Sequence, residues 1–272
     1  MNVSSSSLFR FTTKFEYLKD IIENGFPFRK CVEDMAIGSY QNDVFSQIGA
    51  VVDQLHSWAI CFCDLPLSQS KEHRGQYGNY AIAMSKEWAM SQHVTPIRYY
   101  HSQSPDHTDS QTRLMIDMLV ESERNPNGVM GALMHFLADN GVSPTKEELE
   151  SLPESIKALL VSFNDFSLNC LEHYWKTFQY TRIYEGRWAD RANQCDTLRR
   201  FYDEREWRTV SREPNKRLTF QLEDIRHVIV TSEDEVRQLG ALMNGLNGKL
   251  GMHDEASIWQ RIHVADKIYS DV

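Results

Sequence analysis

Within "FYDEREWRTV", residues 201–210, three carboxylates (Asp203, Glu204 and Glu206) stand among aromatics, with Arg205 between the glutamates and Trp207 and Arg208 closing the run. In an extended strand residues two apart share a face, so the spacing predicts Tyr202, Glu204, Glu206 and Arg208 on one side and Asp203, Arg205 and Trp207 behind. Two carboxylates side by side repel, and one is raised in pKa unless a cation intervenes. Three sources of positive charge are open. Arg208 or Arg10 could form an ion pair with them. A divalent metal could sit between them, with Asp64 as a third ligand. The substrate itself could be cationic. A glycosidic bond to a cationic base breaks through an oxocarbenium-like state, which a carboxylate at the ribose stabilises. Nicotinamide adenine dinucleotide (NAD) is such a substrate, and a second carboxylate nearby would activate or orient the nucleophile. The metal-dependent nuclease reading is the weakest of the three, because no lysine accompanies E-x-E and no His/Asp pair has metal-ligand spacing.

The rest of the chain limits what such a site could act on. Its 272 residues are 41% hydrophobic and 25% charged, enough for one sizeable core. A net charge of −9 argues against broad nucleic-acid affinity. Residues 182–217 nevertheless hold ten Lys/Arg against seven Asp/Glu, which leaves −12 for the remainder and sets a local basic surface around the glutamates. The five cysteines, an odd count, and the lack of a basic-then-apolar leader predict reduced thiols in a cytosol. Cys61 and Cys63 read as small buried strand residues. No apolar run reaches the length of a membrane span.

The elements that must position these residues read as α+β. "LFRFTT" is a short strand, with Leu8, Arg10 and Thr12 on one face and Phe9 and Phe11 on the other. "KFEYLKDIIENGF" is a helix with Phe15, Leu18, Ile21 and Ile22 on one stripe, and Asn24-Gly25 predicts a left-handed cap. Strands follow in "SWAICFCDLPLS", "YGNYAIAMSKEW" (which runs on into a helix) and "TPIRYYH". Helical periodicity then fills residues 112–175, with Thr145 and Glu148 as a capping box, and predicts a helical insertion over 103–178 that shapes a lid or partner surface. Strands resume near Tyr180 and continue through "REWRTV", "RLTFQL" and "HVIVT". Ser232 and Glu235 then cap a closing helical segment over 232–272.

The opening resembles that of ADP-ribosyltransferase folds, in which a strand ending in His or Arg, an aromatic and a small hydroxyl residue precedes an L-x-x-I-L-x-x-G-L helix. Arg10, Phe11 and Thr12 match the strand; Leu18, Ile21, Ile22, Gly25 and Phe26 match the helix. The blocks "LFRFT", "LKDIIENGF", "ICFCDLPLSQSKEHRGQYGNYAIAMSKEWA", "TPIRYY", "YEGRW" and "FYDEREWR" together resemble the AbiGi family of abortive phage-resistance proteins. Many members of that family have His where this chain has Arg10.

These resemblances imply one domain over 1–272 with a split mixed or antiparallel sheet, a helical insertion and C-terminal helices. They also imply NAD as a substrate. Arg10 would grip the nucleotide, Glu206 would bind the nicotinamide ribose and stabilise the oxocarbenium ion, and Glu204 would activate the acceptor. Phe11, Thr12, Ser68, Tyr77 and Tyr80 would line the NAD pocket, the tyrosines by stacking on nicotinamide. Core packing of Tyr77 and Tyr80, and turn or cap roles for Ser68 and His73, are the structural alternatives. The acceptor implied by the basic stretch is a single-stranded nucleic acid, messenger RNA above all, lying on arginines with a base on Trp188 or Tyr202. Arg199 and Arg200 are placed outside the NAD pocket. The family resemblance implies an antitoxin or a neighbouring operon product as partner; a non-catalytic antitoxin or partner-binding module is the competing function.

Overall fold

The computed structural model of the chain describes residues 5–34, 54–101, 141, 145, 151–190, 195–213, 215–246, 251 and 255–269. The first strand, β1 (Ser7–Thr12), alternates as its sequence requires: Leu8 enters one core, Phe9 and Phe11 the other. Helix α1 (Phe15–Asn24) buries Phe15, Leu18, Ile21 and Ile22, the stripe read from the sequence. It ends at Gly25, whose N–H bonds the Ile21 carbonyl at 2.8 Å. The torsions there are φ 83°, ψ 173°, so the helix stops in an extended conformation open to glycine instead of the expected left-handed helical cap. A Cβ at this position would come within 2.4 Å of the Leu218 carbonyl oxygen, which closes the site to any other residue.

Beyond it come β2 (Phe26–Pro27), β3 (Arg29–Asp34) and the long β4 (Gln54–Cys63). Helix α2 (Lys71–Tyr77), strand β5 (Tyr80–Ser85), helix α3 (Lys86–Ser91) and the short β6 (Thr95–Pro96) follow. Strand β7 (Arg98–Tyr100), helix α4 (Glu154–Gln179), β8 (Thr181–Ile183), β9 (Glu185–Asp190) and β10 (Cys195–Arg200) lead to β11 (Glu206–Ser211), β12 (Arg217–Leu218) and β13 (Ile225–Val230). The chain closes with α5 (Glu233–Gly245), α6 (Glu255–Trp259), β14 (Ile262–Val264) and α7 (Ala265–Tyr269).

The main sheet runs β14-β13-β5-β1-β4-β11-β6, and β3 also pairs with β4. Its pairs are antiparallel except β13 with β14, so the sheet is mixed. Strand β1 follows β5 over its whole length, Ser7↔Ser85 to Thr12↔Tyr80, yet meets β4 at the single register Phe9↔Cys63. The two strands therefore part beyond Phe9. One cross-strand row, Glu206–Cys63–Phe9–Ala83–His227, spans five strands. On one face Leu8, Ile60, Phe62, Ile82, Met84 and Val228 pack with the α1 stripe, Leu239, Met243 and Trp88. On the other, Phe9, Phe11, Cys63, Ala81, Ala83 and Ile229 form a smaller cluster with Leu65 and Ala265.

The chain divides into two compact units. Met1–Met35, Gln54–Tyr99 and Tyr184–Val272 make one; Ala36–Asp53 and Tyr100–Ile183 make the other. The described part of the expected insertion over 103–178 is α4, which begins at Glu154 and extends to Gln179. The helices read between 112 and 150 lie outside the described residues, as does Glu148 of the expected capping box with Thr145. In the closing segment the Ser232–Glu235 box forms in both directions. This segment is not purely helical, however: the β-branched Ile262 and Val264 add β14 in parallel beside Val228 and Val230. Among the described residues, no helix is long and apolar enough to cross a membrane.

Candidate functional site

The two glutamates do not share one strand. Residues Phe201–Glu204 form a 3-10 turn, Arg205 takes the left-handed conformation (φ 44°, ψ 54°), and β11 begins at Glu206. A left-handed residue with a Cβ costs about 1–2 kcal/mol, and several backbone bonds hold it there. Tyr202 N–H donates to the Tyr184 carbonyl at 3.2 Å, and Arg205 N–H to that of Tyr202 at 3.1 Å. The Arg205 carbonyl in turn accepts Asp64 N–H at 3.0 Å. The expected common face for Tyr202, Glu204, Glu206 and Arg208 is thus replaced by a corner. Its cause is burial: Phe201 and Glu204 both turn inward, which a continuous strand would not allow.

Glu206 is the first residue of β11, registered with Cys63, and Arg208 is registered with Cys61. Nε of Arg208 donates to Oε1 of Glu206 at 2.8 Å, and Nη2 forms an ion pair with the same oxygen at 2.8 Å. The carboxylate side chain is 5% exposed and the guanidinium 0%. Arg208 is thus the arginine that meets Glu206. The backbone around the carboxylate is fixed too, since Glu206 N–H donates to Tyr99 Oη at 2.9 Å and its carbonyl accepts Ile97 N–H at 3.1 Å.

Glu204 has its own cation. Arg199, carried on β10, places Nη2 2.9 Å from Glu204 Oε1, and Tyr77 Oη donates to the same oxygen at 3.4 Å. The Arg199 guanidinium also lies over the Tyr77 ring at 5.6 Å. An aromatic wall continues from there: Tyr77 against His73 at 4.4 Å between ring centroids, His73 against Phe11 at 5.2 Å, and Phe11 against Phe9 at 6.0 Å. Arg199 therefore belongs to the site and does not lie outside it as its sequence position implied. Arg200 is the exposed member of the pair. Burial pushes the Cys63 thiol well above its ordinary range, with the negative charges of Glu204 and Asp64 adding to the effect, so Cys63 remains a neutral packing group.

The remaining predicted residues divide. Arg10 donates from Nη1 to the Cys61 carbonyl at 2.9 Å, bridging the place where β1 leaves β4. By strand alternation it shares its face with Leu8, whereas Phe9, Cys63 and Glu206 lie on the other. Thr12, at the end of β1, stands opposite Tyr80. Tyr80 is not in the site: its hydroxyl donates to Glu235 at 2.8 Å and meets Thr231 at 3.1 Å, and its ring packs on Phe15. Ser68 is exposed on the 3-10 turn Leu67–Gln69, where a turn role suffices. Asp64, the proposed third metal ligand, instead binds Lys86 Nζ at 2.8 Å and accepts Ser5 N–H at 2.8 Å. Among the described residues, no group of three or more His, Cys, Asp or Glu side chains could hold a metal ion. The side chain of Trp188 lies outside the described residues. Tyr99 and Tyr184 carried no signal in the sequence beyond being aromatic; it is the fold that brings them to the corner.

Comparison with known proteins gives this arrangement its context. Residues 24–238 match the family model of AbiGi, described as an abortive phage resistance protein and antitoxin. The chain is also 24% identical over 217 residues to the "Abortive phage resistance protein AbiGi" of Lactococcus lactis subsp. cremoris, a match covering 76% of this chain and 74% of that protein. No solved structure matches. The fold is α+β with a mixed sheet, while the ADP-ribosyltransferase likeness is a resemblance of sequence.

Proposed function

The chain belongs to the AbiGi family of abortive phage resistance proteins, and from that premise we propose that it cleaves NAD and transfers the ADP-ribose to a macromolecule. The observation that carries this reading is the pair of nearly buried carboxylates, Glu204 and Glu206, held on either side of a left-handed corner. Strain of this kind persists where the surroundings over-determine it, and functional sites are where it collects. In the reaction, the bond from the ribose anomeric carbon to the nicotinamide nitrogen breaks, and its electron pair neutralises the pyridinium. Glu206, immobilised by Arg208 and Tyr99, faces the oxocarbenium charge at low dielectric, where a fixed carboxylate is most effective. An acceptor lone pair then forms the new bond to the anomeric carbon, and Glu204 takes the released proton. Phe11 and Tyr77 supply an apolar wall for the nicotinamide, whereas Arg10, on the opposite face of β1, holds the Cys61 carbonyl and takes no part in this pocket. No divalent ion enters these steps. Nicotinamide release from NAD by the purified chain is the test.

A second reading, a non-catalytic antitoxin that binds the product of a neighbouring gene, is favoured by a specific observation. Arg199 and Arg208 pair with both carboxylates, which supplies each with a counter-charge from the chain itself. The family description as an antitoxin agrees with it. Capture of a toxin partner by a chain that leaves NAD intact would establish this alternative.

A further inference from the structure

Beside the paired glutamates, three tyrosines are in ring contact. Tyr202 stacks on Tyr184 with centroids 5.3 Å apart and 27° between the planes; Tyr99 meets Tyr202 edge-on at 5.3 Å and 74°. Tyr202 remains 48% exposed despite both contacts. The Arg200 guanidinium lies 6.0 Å over the Tyr184 ring and is itself 56% exposed. Arg98, also exposed, precedes Tyr99 in β7. The cluster is anchored to the candidate site, since Tyr99 Oη accepts the Glu206 N–H and Tyr202 lies within the turn that carries Glu204.

A tyrosine kept for core packing is covered; this one offers an open ring, backed by a second ring, at the rim of a site with exposed arginines. We propose that Tyr99, Tyr184 and Tyr202 form a platform on which a base of a single-stranded nucleic acid stacks, with Arg200 and Arg98 meeting its phosphates. Stacking on aromatics suits unpaired bases of any sequence, whereas the bases of a duplex are enclosed by their own stack. The chain's net charge of −9 repels a long duplex further. The Asp203 carboxylate, 3.8 Å from Arg200, keeps the phosphate contribution small. That the stacked strand is also the acceptor of ADP-ribose rests on the transfer reading; the platform itself does not.

The experiment is fluorescence anisotropy of a short labelled oligouridylate with the full chain, without NAD. Wild-type protein is expected to bind the single strand and not a duplex of equal length. Tyr202→Ala weakens binding about tenfold, the loss of one stacked base, while Tyr202→Phe stays within about twofold. With about two phosphates engaged, log affinity falls with log salt at a slope of about 1.4. Absence of binding, equal binding by Tyr202→Ala, or an equal loss in Tyr202→Phe overturns the proposal. The assay contains no NAD, so oligonucleotide binding that depends on Tyr202, in a protein that releases no nicotinamide, upholds the platform and defeats the transfer reading alone.

Discussion

Glu206 and Arg208, alternate residues on one face of β11, share a buried interaction in which Nε and Nη2 both lie 2.8 Å from a single carboxylate oxygen. This relationship couples the proposed chemistry to the stability of the sheet. Removing one partner of a buried pair costs about 3–5 kcal/mol, because the other charge is left in a low dielectric. Glu206→Gln is therefore expected both to abolish NAD cleavage and to lower stability by about that amount. Denaturant unfolding of Glu206→Gln, Arg208→Gln and the double variant measures the coupling. A double variant whose loss equals the sum of the singles would show the pair to be uncoupled.

Arg199 and Arg200 adjoin in sequence but differ in setting, and substitution separates them. Arg199→Met strips Glu204 of a cation in a pair whose side chains are 14% and 6% exposed, with an expected cost of about 3 kcal/mol. Arg200→Ala removes an exposed, 3.8 Å contact with Asp203 and changes stability by less than about 0.5 kcal/mol. Equal melting temperatures for the two variants would contradict the assignment.

A third prediction concerns pH. His227 Nδ1 and His263 Nε2 lie 3.1 Å apart across the parallel pair β13 and β14. Burial lowers both pKa values; for His227 the charges of His263, Arg226 and Arg261 lower it further. The unfolded chain thus binds more protons than the folded one as pH falls below the ordinary histidine value of about 6.5. Stability from this pair is complete above that value and lost progressively below it. The fall in melting temperature between pH 7.5 and pH 5 should be smaller for His227→Gln than for wild type, and an unchanged fall would refute the account.

Gly78 links α2, which carries Tyr77, to β5 at φ 103°. A Cβ there would meet the Thr12 carbonyl oxygen at 2.2 Å and Thr13 Cα at 2.5 Å, backbone atoms that cannot rotate aside. Gly78→Ala should cost about 1–3 kcal/mol and move Tyr77 away from Glu204. A variant that melts with wild type would show that this junction is not constrained.

How far the sequence could be read follows from which forces are local. The α1 stripe, the alternation of β1 and the Ser232–Glu235 box depend on near neighbours and were legible. Glu204 and Glu206 were legible as residues but not as geometry, because the corner at Arg205 is imposed by bonds to Tyr184, Tyr202 and Asp64. Nothing local marks an arginine as left-handed. Arg199 read as part of a basic surface, since its partner Glu204 meets it only through the β9–β10 hairpin and the turn that follows. Tyr80 read as a stacking residue because its acceptor, Glu235, lies far along the chain. In β14 three residues are too few to give a period, and pairing with β13 alone defines the strand.

Incubating the purified chain with NAD labelled in the adenylate half, in excess chelator, with cell lysate and without, measures the proposed transfer itself. Nicotinamide release that survives chelation and label transferred to nuclease-sensitive material are expected for the wild type, and neither for Glu206→Gln protein that remains folded at the assay temperature. NAD left intact by wild-type protein in both conditions, or cleavage undiminished in folded Glu206→Gln protein, would contradict the transfer reading.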